Sequence, residues 1–333
     1  MQIYLILIII LGALALKPDS KWAIATSFCL LFTLSALRAL TVGTDVSSIY
    51  YWQFIYHSDV RSIEYGWYYL RELVALTGSY RLLLVVTSAV ILCPVYYVAS
   101  QHRAHALWIV LLFVLLYDYC YSLNAIRQYI SISIVFLGSL YLKSRFDWRF
   151  YLCVLIASLF HVSALVMLIL PLLDRVKLNE WYVIAALLIA YVVGYFNRME
   201  FMSGILAKYN YGYLQYFSEE YMRDISFSLN RLLLNMLVIV LLLLTNKDSL
   251  WLKVFAAGVL ILDLFPMFPD VCRIAKYFLI FQILLYPALE FKKVTTKEMR
   301  LIVKSGVWVY ALFLFFYLLS ANVGGVVPYS FAW

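Results

Sequence analysis

Three arginines stand where long apolar runs begin or end: Arg38 in Leu37-Arg38-Ala39-Leu40, Arg127 in Asn124-Ala125-Ile126-Arg127-Gln128, and Arg273, followed by Lys276 and Tyr277. Arg273, Lys276 and Tyr277 are spaced i, i+3, i+4 and so share one helical face. A single arginine at the end of a membrane helix can simply extend to the lipid headgroups, the reading that fits Arg231 at the start of its run. Three cations near one leaflet instead call for an anion, because ionisable groups in or beside membrane helices are costly and mark function. Tyr117, Tyr121, Asn124 and Gln128 recur at steps of four, three and four. On a continuous helix they form a polar stripe that belongs against protein or a cavity, not lipid. His161 lies inside the apolar run Phe150–Leu173, where an imidazole either holds a hydrogen bond within a bundle or acts as an acid–base group.

The elements that position these residues follow from composition. The chain of 333 residues is 65% hydrophobic and 13% charged, whereas a soluble domain carries about 25% charged residues to cover its surface. Apolar runs recur from Trp22–Leu40 to Leu301–Ser320. At about 20 apolar residues per crossing they predict roughly ten or eleven transmembrane helices. The expected fold is therefore an all-α, polytopic transmembrane helix bundle, with residues 1–333 forming a single integral membrane domain. Gln2–Leu16 lacks a basic leader and a small-residue cleavage site and reads as a retained first helix.

The five cysteines and four histidines are dispersed, with no metal spacing and no disulfide framework. There is no G-x-G-x-x-G, no P-loop and no D-x-D pair, so neither a nucleotide-sugar site with a chelated metal nor any cofactor is expected. The net charge of +8 is explained by the positive-inside rule rather than by nucleic acid.

That rule places the basic connections Lys17–Lys21, Gln101–His105, Lys143–Arg149 and Lys292–Lys304 inside. The longer connections Thr41–Tyr80 and Asn197–Ser228, the second dense in tyrosine, then fall outside. In the first, Gly43 can end a helix in the left-handed conformation. Thr44 or Asp45 can cap a short helix bearing Ile49, Tyr50, Phe54 and Ile55. A second short helix starts near Glu64 with Trp67, Tyr68, Leu70 and Leu73. Counting inward from both ends puts Lys143–Arg149 and Asp174–Glu180 on the same side. Either the count is off by one helix, or Phe150–Leu173 is a broken, re-entrant pair turning near His161-Val162-Ser163, tolerable only where protein or a wet cavity surrounds it.

Several motifs in succession resemble one known family: Arg38-x-x-x-x-Gly43-Thr44-Asp45-x-x-x-x-Tyr50, Glu64-Tyr65-Gly66, Asn124-x-x-Arg127-Gln128, Phe160-His161-x-Ser163-Ala164, Arg273-x-x-x-Tyr277-Phe278 and Pro328-Tyr329. The chain resembles the EpsG-like family of Wzy-type polymerases of O-antigen, capsular and exopolysaccharide, along nearly its whole length. The family often has Glu-Pro-Gly where this chain has Glu64-Tyr65-Gly66.

The resemblance implies a GT-C-like, metal-independent glycosyltransferase in the bacterial inner membrane, its active site facing outward. It would transfer a growing glycan from undecaprenyl diphosphate to a sugar hydroxyl of the next lipid-linked repeat unit. Arg38, Arg127 and Arg273 would hold the diphosphate, whose oxygens match the guanidinium fork. His161, Asp45 and Glu64 are the candidates for the base that takes the acceptor's proton. The free imidazole, titrating near 6.5, suits that task better than exposed carboxylates near 4. Asn124, Gln128, Tyr50 and Tyr277 are weaker candidates for sugar or lipid contact. Expected partners are the lipid-linked donor and acceptor, the bilayer and a chain-length regulator. Two other readings stay open. A flippase of lipid-linked sugars needs similar residues but is expected to carry internal repeats. A membrane acyltransferase would pair a histidine with an N-terminal arginine, and His57 is the only one nearby.

Overall fold

The computed structural model describes residues 1–57, 64–142, 147–196, 229–266, 269–294 and 296–332. The expected outer connection Asn197–Ser228, with its tyrosines, lies outside the described residues, as do Asp59 and Arg61 of the first connection and most of Lys143–Arg149. The described chain is helical, its one bridge of sheet type pairing Arg38 with Phe331. It divides into two compact units. One comprises Met1–Leu168, Tyr286–Ala288 and Ser305–Trp333; the other comprises Ile169–Leu285 and Leu289–Lys304.

In the first unit the order is α1 (Gln2–Ala15), α2 (Lys21–Ala36), a π-turn (Val46–Tyr50) running into α3 (Tyr51–Ile55), α4 (Tyr65–Ala75), α5 (Tyr80–Gln101), α6 (Ala106–Leu115), α7 (Asp118–Asn124), α8 (Ile126–Gly138) and α9 (Trp148–Ser158). Apart from half-buried Trp108, every residue of α6 is buried. A helix that is apolar all round belongs at the centre, and α1 and α5 pack against it. α8 packs between α5 and α9. Ser20, Ser79 and Asp147 cap α2, α5 and α9 by accepting from Ala23, Leu82 and Arg149 amides, as short polar side chains do at helix starts.

A 3-10 stretch, Val162–Ile169, leads out of the first unit into the second. There α10 (Leu170–Leu173), α11 (Glu180–Phe196), α12 (Leu229–Leu244), α13 (Leu250–Leu264), α14 (Pro269–Leu279) and α15 (Gln282–Leu285) follow. α13 is the hub, packed on α11, α12 and α14. At one end Glu180 accepts from Lys247 and from Lys293 at 2.9 Å, and Lys253 donates to the Asp174 carbonyl at 2.9 Å. Asp174–Glu180 and the start of Lys292–Lys304 thus share one end of this unit, in keeping with the side shared by both in the charge pattern. α16 (Lys297–Ser320) is the last helix.

Instead of ten or eleven unbroken spans, two helices among the described residues, Tyr80–Gln101 and Lys297–Ser320, are individually long and apolar enough to cross a bilayer. A third crossing forms if Arg103–Leu115 and Asp118–Asn124, bent by 55°, count together, and seven shorter apolar helices accompany them. The difference lies in the breaks. Tyr117 adopts φ 71°, left-handed and costly for a residue with a Cβ, and Ala125 interrupts again between α7 and α8. Tyr117, Tyr121, Asn124 and Gln128 therefore do not share one helical face, which corrects the continuous stripe. Tyr117 instead donates to the Val323 carbonyl at 3.1 Å. Phe150–Leu173 is broken as well, at Leu159–His161, beside the turn that is one of the two readings of the charge count. The eight residues of 3-10 geometry that follow exceed the usual three or four, a common mark of a strained or functional segment.

Candidate active site

The break at Leu159–His161 is where separate motifs meet. Gly66, in the first turn of α4, donates its N–H to the Leu159 carbonyl at 2.8 Å. A Cβ at Gly66 would stand 3.0 Å from that oxygen and 2.9 Å from Leu159 Cβ, so only glycine lets α4 start directly on the break. On α8, one turn beyond Arg127, the Ser131 hydroxyl donates to the Ala157 carbonyl at 2.9 Å and lies 3.4 Å from that of His161. These contacts answer the Leu159 carbonyl where α9 stops and add a side-chain donor to that of Ala157, which already accepts from the Phe160 and His161 amides. They also hold His161 against the start of α4, where Glu64 precedes the first helical residue.

His161 Nδ1 is 2.7 Å from Glu64 Oε1, and Glu64 Oε2 is ion-paired with Arg127 NH1. The Glu64 side chain is 9% exposed, those of His161 and Arg127 22% and 23%. An ionised carboxylate only accepts, so the proton of a neutral imidazole sits on Nδ1 and the Nε2 lone pair is left for another donor. Beneath Arg127 lies the Tyr50 ring, 5.8 Å from the guanidinium carbon. Tyr50 in turn packs edge-on to Trp67, with centroids 5.1 Å apart. Burial pushes the Tyr50 phenol above its ordinary range, opposed by the neighbouring guanidinium. α3 is tied to α4 at its far end, where His57 meets Glu72 at 2.9 Å. Burial pushes the Glu72 carboxyl up, but hydrogen bonds from Arg71 and His57 outweigh it and leave the group below the usual range.

Asp45 stands close enough to act electrostatically on both Arg127 and Tyr50, and Asn124 fixes its position. The Asn124 Oδ1 accepts the Asp45 N–H at 2.7 Å and the Thr44 hydroxyl at 3.1 Å. Gly43 takes φ 99° with Leu123 O only 2.7 Å from where a Cβ would be. The sequence expectations need correcting in two respects. α2 ends at Ala36, so Gly43 is a turn residue rather than its C-cap. The Asp45 side chain makes no capping bond to the π-turn; its backbone N–H is itself held by Asn124. Gln128 is buried on α8.

Arg38 is buried apart from this group. Its NH1 donates to the Ser35 carbonyl, and the groups acting on it most strongly after burial itself are the phenols of Tyr80, Tyr119, Tyr329 and Tyr4. Tyr329, from the Pro-Tyr motif, donates to the Leu34 carbonyl at 2.5 Å and so answers an orphan carbonyl of the last turn of α2.

In the second unit Arg273 is exposed and Tyr277 buried on α14. Arg231 is 8% exposed, with its guanidinium carbon 5.1 Å over the Tyr191 ring. Snorkelling is thereby overturned. Nearby, Asn235 Nδ2 donates to Asp263 Oδ2 at 2.8 Å and to the Arg231 carbonyl at 3.0 Å. Sequence reasoning passed over Asp263, although a lone acid in the apolar run Leu252–Leu264 was the signal that could have found it.

The convergence of the Gly-Thr-Asp, Glu-x-Gly, Asn-x-x-Arg-Gln and Phe-His-x-Ser-Ala segments on one ion-paired group has a counterpart in the comparisons with known proteins. The EpsG family model matches residues 21–331. The chain belongs to the EpsG family. EpsG is a Wzy-like polymerase family, and the apolar helices of this member fit the membrane setting of such an activity. No curated protein and no solved structure matches the chain. In this EpsG chain Tyr65 replaces the frequent proline at the first residue of α4. That position has no intrahelical use for its N–H, so either residue serves there.

Proposed function

We propose that this protein is a repeat-unit polymerase of the bacterial inner membrane. It would move a growing glycan from undecaprenyl diphosphate to a hydroxyl of another lipid-linked repeat unit on the outer side. The observation that carries this reading is the Glu64 carboxylate bridging His161 Nδ1 and Arg127. A buried carboxylate that fixes an imidazole through Nδ1 leaves Nε2 as the proton acceptor, the orienting logic of catalytic triads.

In the proposed step, the acceptor hydroxyl attacks the anomeric carbon of the donor's first sugar while His161 Nε2 takes its proton. The bond between that carbon and the diphosphate oxygen breaks, and the diphosphate leaves with both electrons. The Arg127 guanidinium pairs with the Glu64 carboxylate beside the imidazolium that forms. Arg38 is a further cation of the same unit that would serve the departing diphosphate, a task that preorganised guanidiniums can perform without a metal, whereas Arg273 belongs to the other unit. Asp45, whose backbone N–H is held by Asn124, would bind an acceptor hydroxyl.

The test is to incubate the purified protein with a lipid-linked repeat unit and separate the products by length. A ladder that survives EDTA is expected. A wild-type protein that leaves the unit unpolymerised, or that translocates it across vesicles instead, overturns the reading.

A further inference from the structure

Among the described residues, no carboxylate balances the charge of Arg38. It is 2% exposed, and a guanidinium does not shed its proton to relieve the cost of burial. Arg127 meets Glu64, whereas Arg38 makes no ion pair among the described residues and its strongest electrostatic neighbours are four tyrosines. NH1 reaches the Ser35 carbonyl and, at 3.4 Å, its hydroxyl; Nε is buried with no acceptor. The Tyr80 hydroxyl, whose strongest neighbouring charge is Arg38, is also buried without a partner. An uncompensated buried cation and two orphaned donors are each strongly destabilising. One anionic oxygen bound by both side chains would relieve all of it.

We propose that Arg38 and Tyr80 form a receptor for a lipid-borne phosphate oxygen, closed in this conformation by residues 329–332. The ligand class follows from the surroundings. Arg38 lies two residues past the end of the apolar helix α2, and its unpartnered Nε–H and the Tyr80 O–H are donors that an oxyanion can accept from. The cover is formed by backbone. Ala39 N–H donates to the Ser330 carbonyl and Ala332 N–H to that of Leu37, each at 2.9 Å. Arg81 NH2 donates to the Ala332 carbonyl at 2.9 Å. A ligand enters by displacing these few bonds. Naming the phosphate as that of the diphosphate donor rests on the polymerase reading; the receptor itself does not.

The experiment titrates the full-length protein in phosphate-free detergent with farnesyl diphosphate and, separately, with short-chain phosphatidylglycerol, following heat. Saturable binding is expected, weakened about ten-fold or more by Tyr80→Phe, which deletes one hydrogen bond to a charged group. Arg38→Lys, which keeps charge and loses the fork, should weaken it similarly; should that variant fail to fold, Tyr80→Phe alone decides. Tighter binding of farnesyl diphosphate assigns the donor, and tighter binding of phosphatidylglycerol assigns a headgroup; both support the receptor. Saturable binding of neither, or a Tyr80→Phe protein that binds both as tightly as wild type, overturns it. A wild type that binds farnesyl diphosphate through these residues yet makes no ladder overturns the polymerase reading and leaves the receptor standing.

Discussion

Glu64, Arg127 and His161 in the first unit, and Arg231, Asn235 and Asp263 in the second, each set a carboxylate and a guanidinium among apolar helices, but they leave different atoms over. In the first cluster both Glu64 oxygens are used, and His161 and Arg127 keep about a fifth of their side chains exposed. The atoms left over are Arg127 Nε, buried without an acceptor, and His161 Nε2, on a side chain that is 22% exposed. In the second cluster Asp263 is 0% and Asn235 5% exposed, and Asp263 Oδ1 and Asn235 Oδ1 are buried acceptors with no hydrogen-bond partner. A leftover atom next to an opening can do chemistry, whereas one sealed away costs stability. The first cluster should therefore govern rate, and the second should govern how well the unit holds together.

The largest effect expected is from His161→Ala, which removes the proposed base and should lower polymerisation by about 10²–10⁴-fold at matched protein levels in membranes, with the protein still folded. Glu64→Gln keeps an acceptor for Nδ1 but loses the charge that balances Arg127 and the imidazolium, so a smaller yet still severe loss is expected in the same assay. A His161→Ala protein with normal ladders, beside an inactive Asp45→Asn or Glu64→Gln, would move the base to that carboxylate.

Asn235→Leu probes the other side of the comparison. It strips Asp263 Oδ2 of its donor and should cost about 1–3 kcal/mol, read as a lower melting temperature of the purified protein. The polymerisation rate per folded molecule should not change. Activity lost beyond the loss of folded protein would make the second cluster functional and break the contrast.

The contrast itself was only half legible in the sequence. The motifs that build the first cluster stand in order along the chain, and the charge parity flagged the break beside His161. That Glu64 and His161 act on each other across 97 positions was not legible, because periodicity reports which face a residue takes and not which distant segment meets it. Asn124 read as part of a polar stripe, whereas the breaks at Tyr117 and Ala125 turn it into a clamp on Thr44 and Asp45. Neither break carries the glycine or proline that normally announces one. Arg231 read as a headgroup contact because its partners Tyr191 and Asp263 come from two other helices, and tertiary packing of that kind leaves no local signal.

Ser131 tests whether the break is held from outside. Ser131→Ala takes one donor from the buried Ala157 carbonyl, which still accepts from the Phe160 and His161 amides, a cost of about 0.5–1 kcal/mol. It also frees the backbone at His161 to shift. A several-fold fall in polymerisation with a small fall in melting temperature is expected. An unchanged rate would mean that Gly66 and Glu64 alone position the imidazole.

The smallest effect expected is at Tyr65, where this chain departs from the frequent Glu-Pro-Gly of its family. Tyr65 is 60% exposed and is the first residue of α4, where a proline forfeits no intrahelical bond and its fixed φ suits the helix start. Glu64 before it has ψ 62°, outside the helical region that a following proline disfavours. Tyr65→Pro should therefore leave Glu64 in contact with His161, keep polymerisation within about two-fold, and raise stability by about 0.4–1 kcal/mol by restricting the unfolded chain. Gly66→Ala one residue later is the contrast, since its Cβ would press on Leu159 Cβ and carbonyl oxygen and push α4 off the break. If Tyr65→Pro proves as damaging as Gly66→Ala, the start of α4 is not the fixed platform on which the pairing of Glu64 with His161 depends.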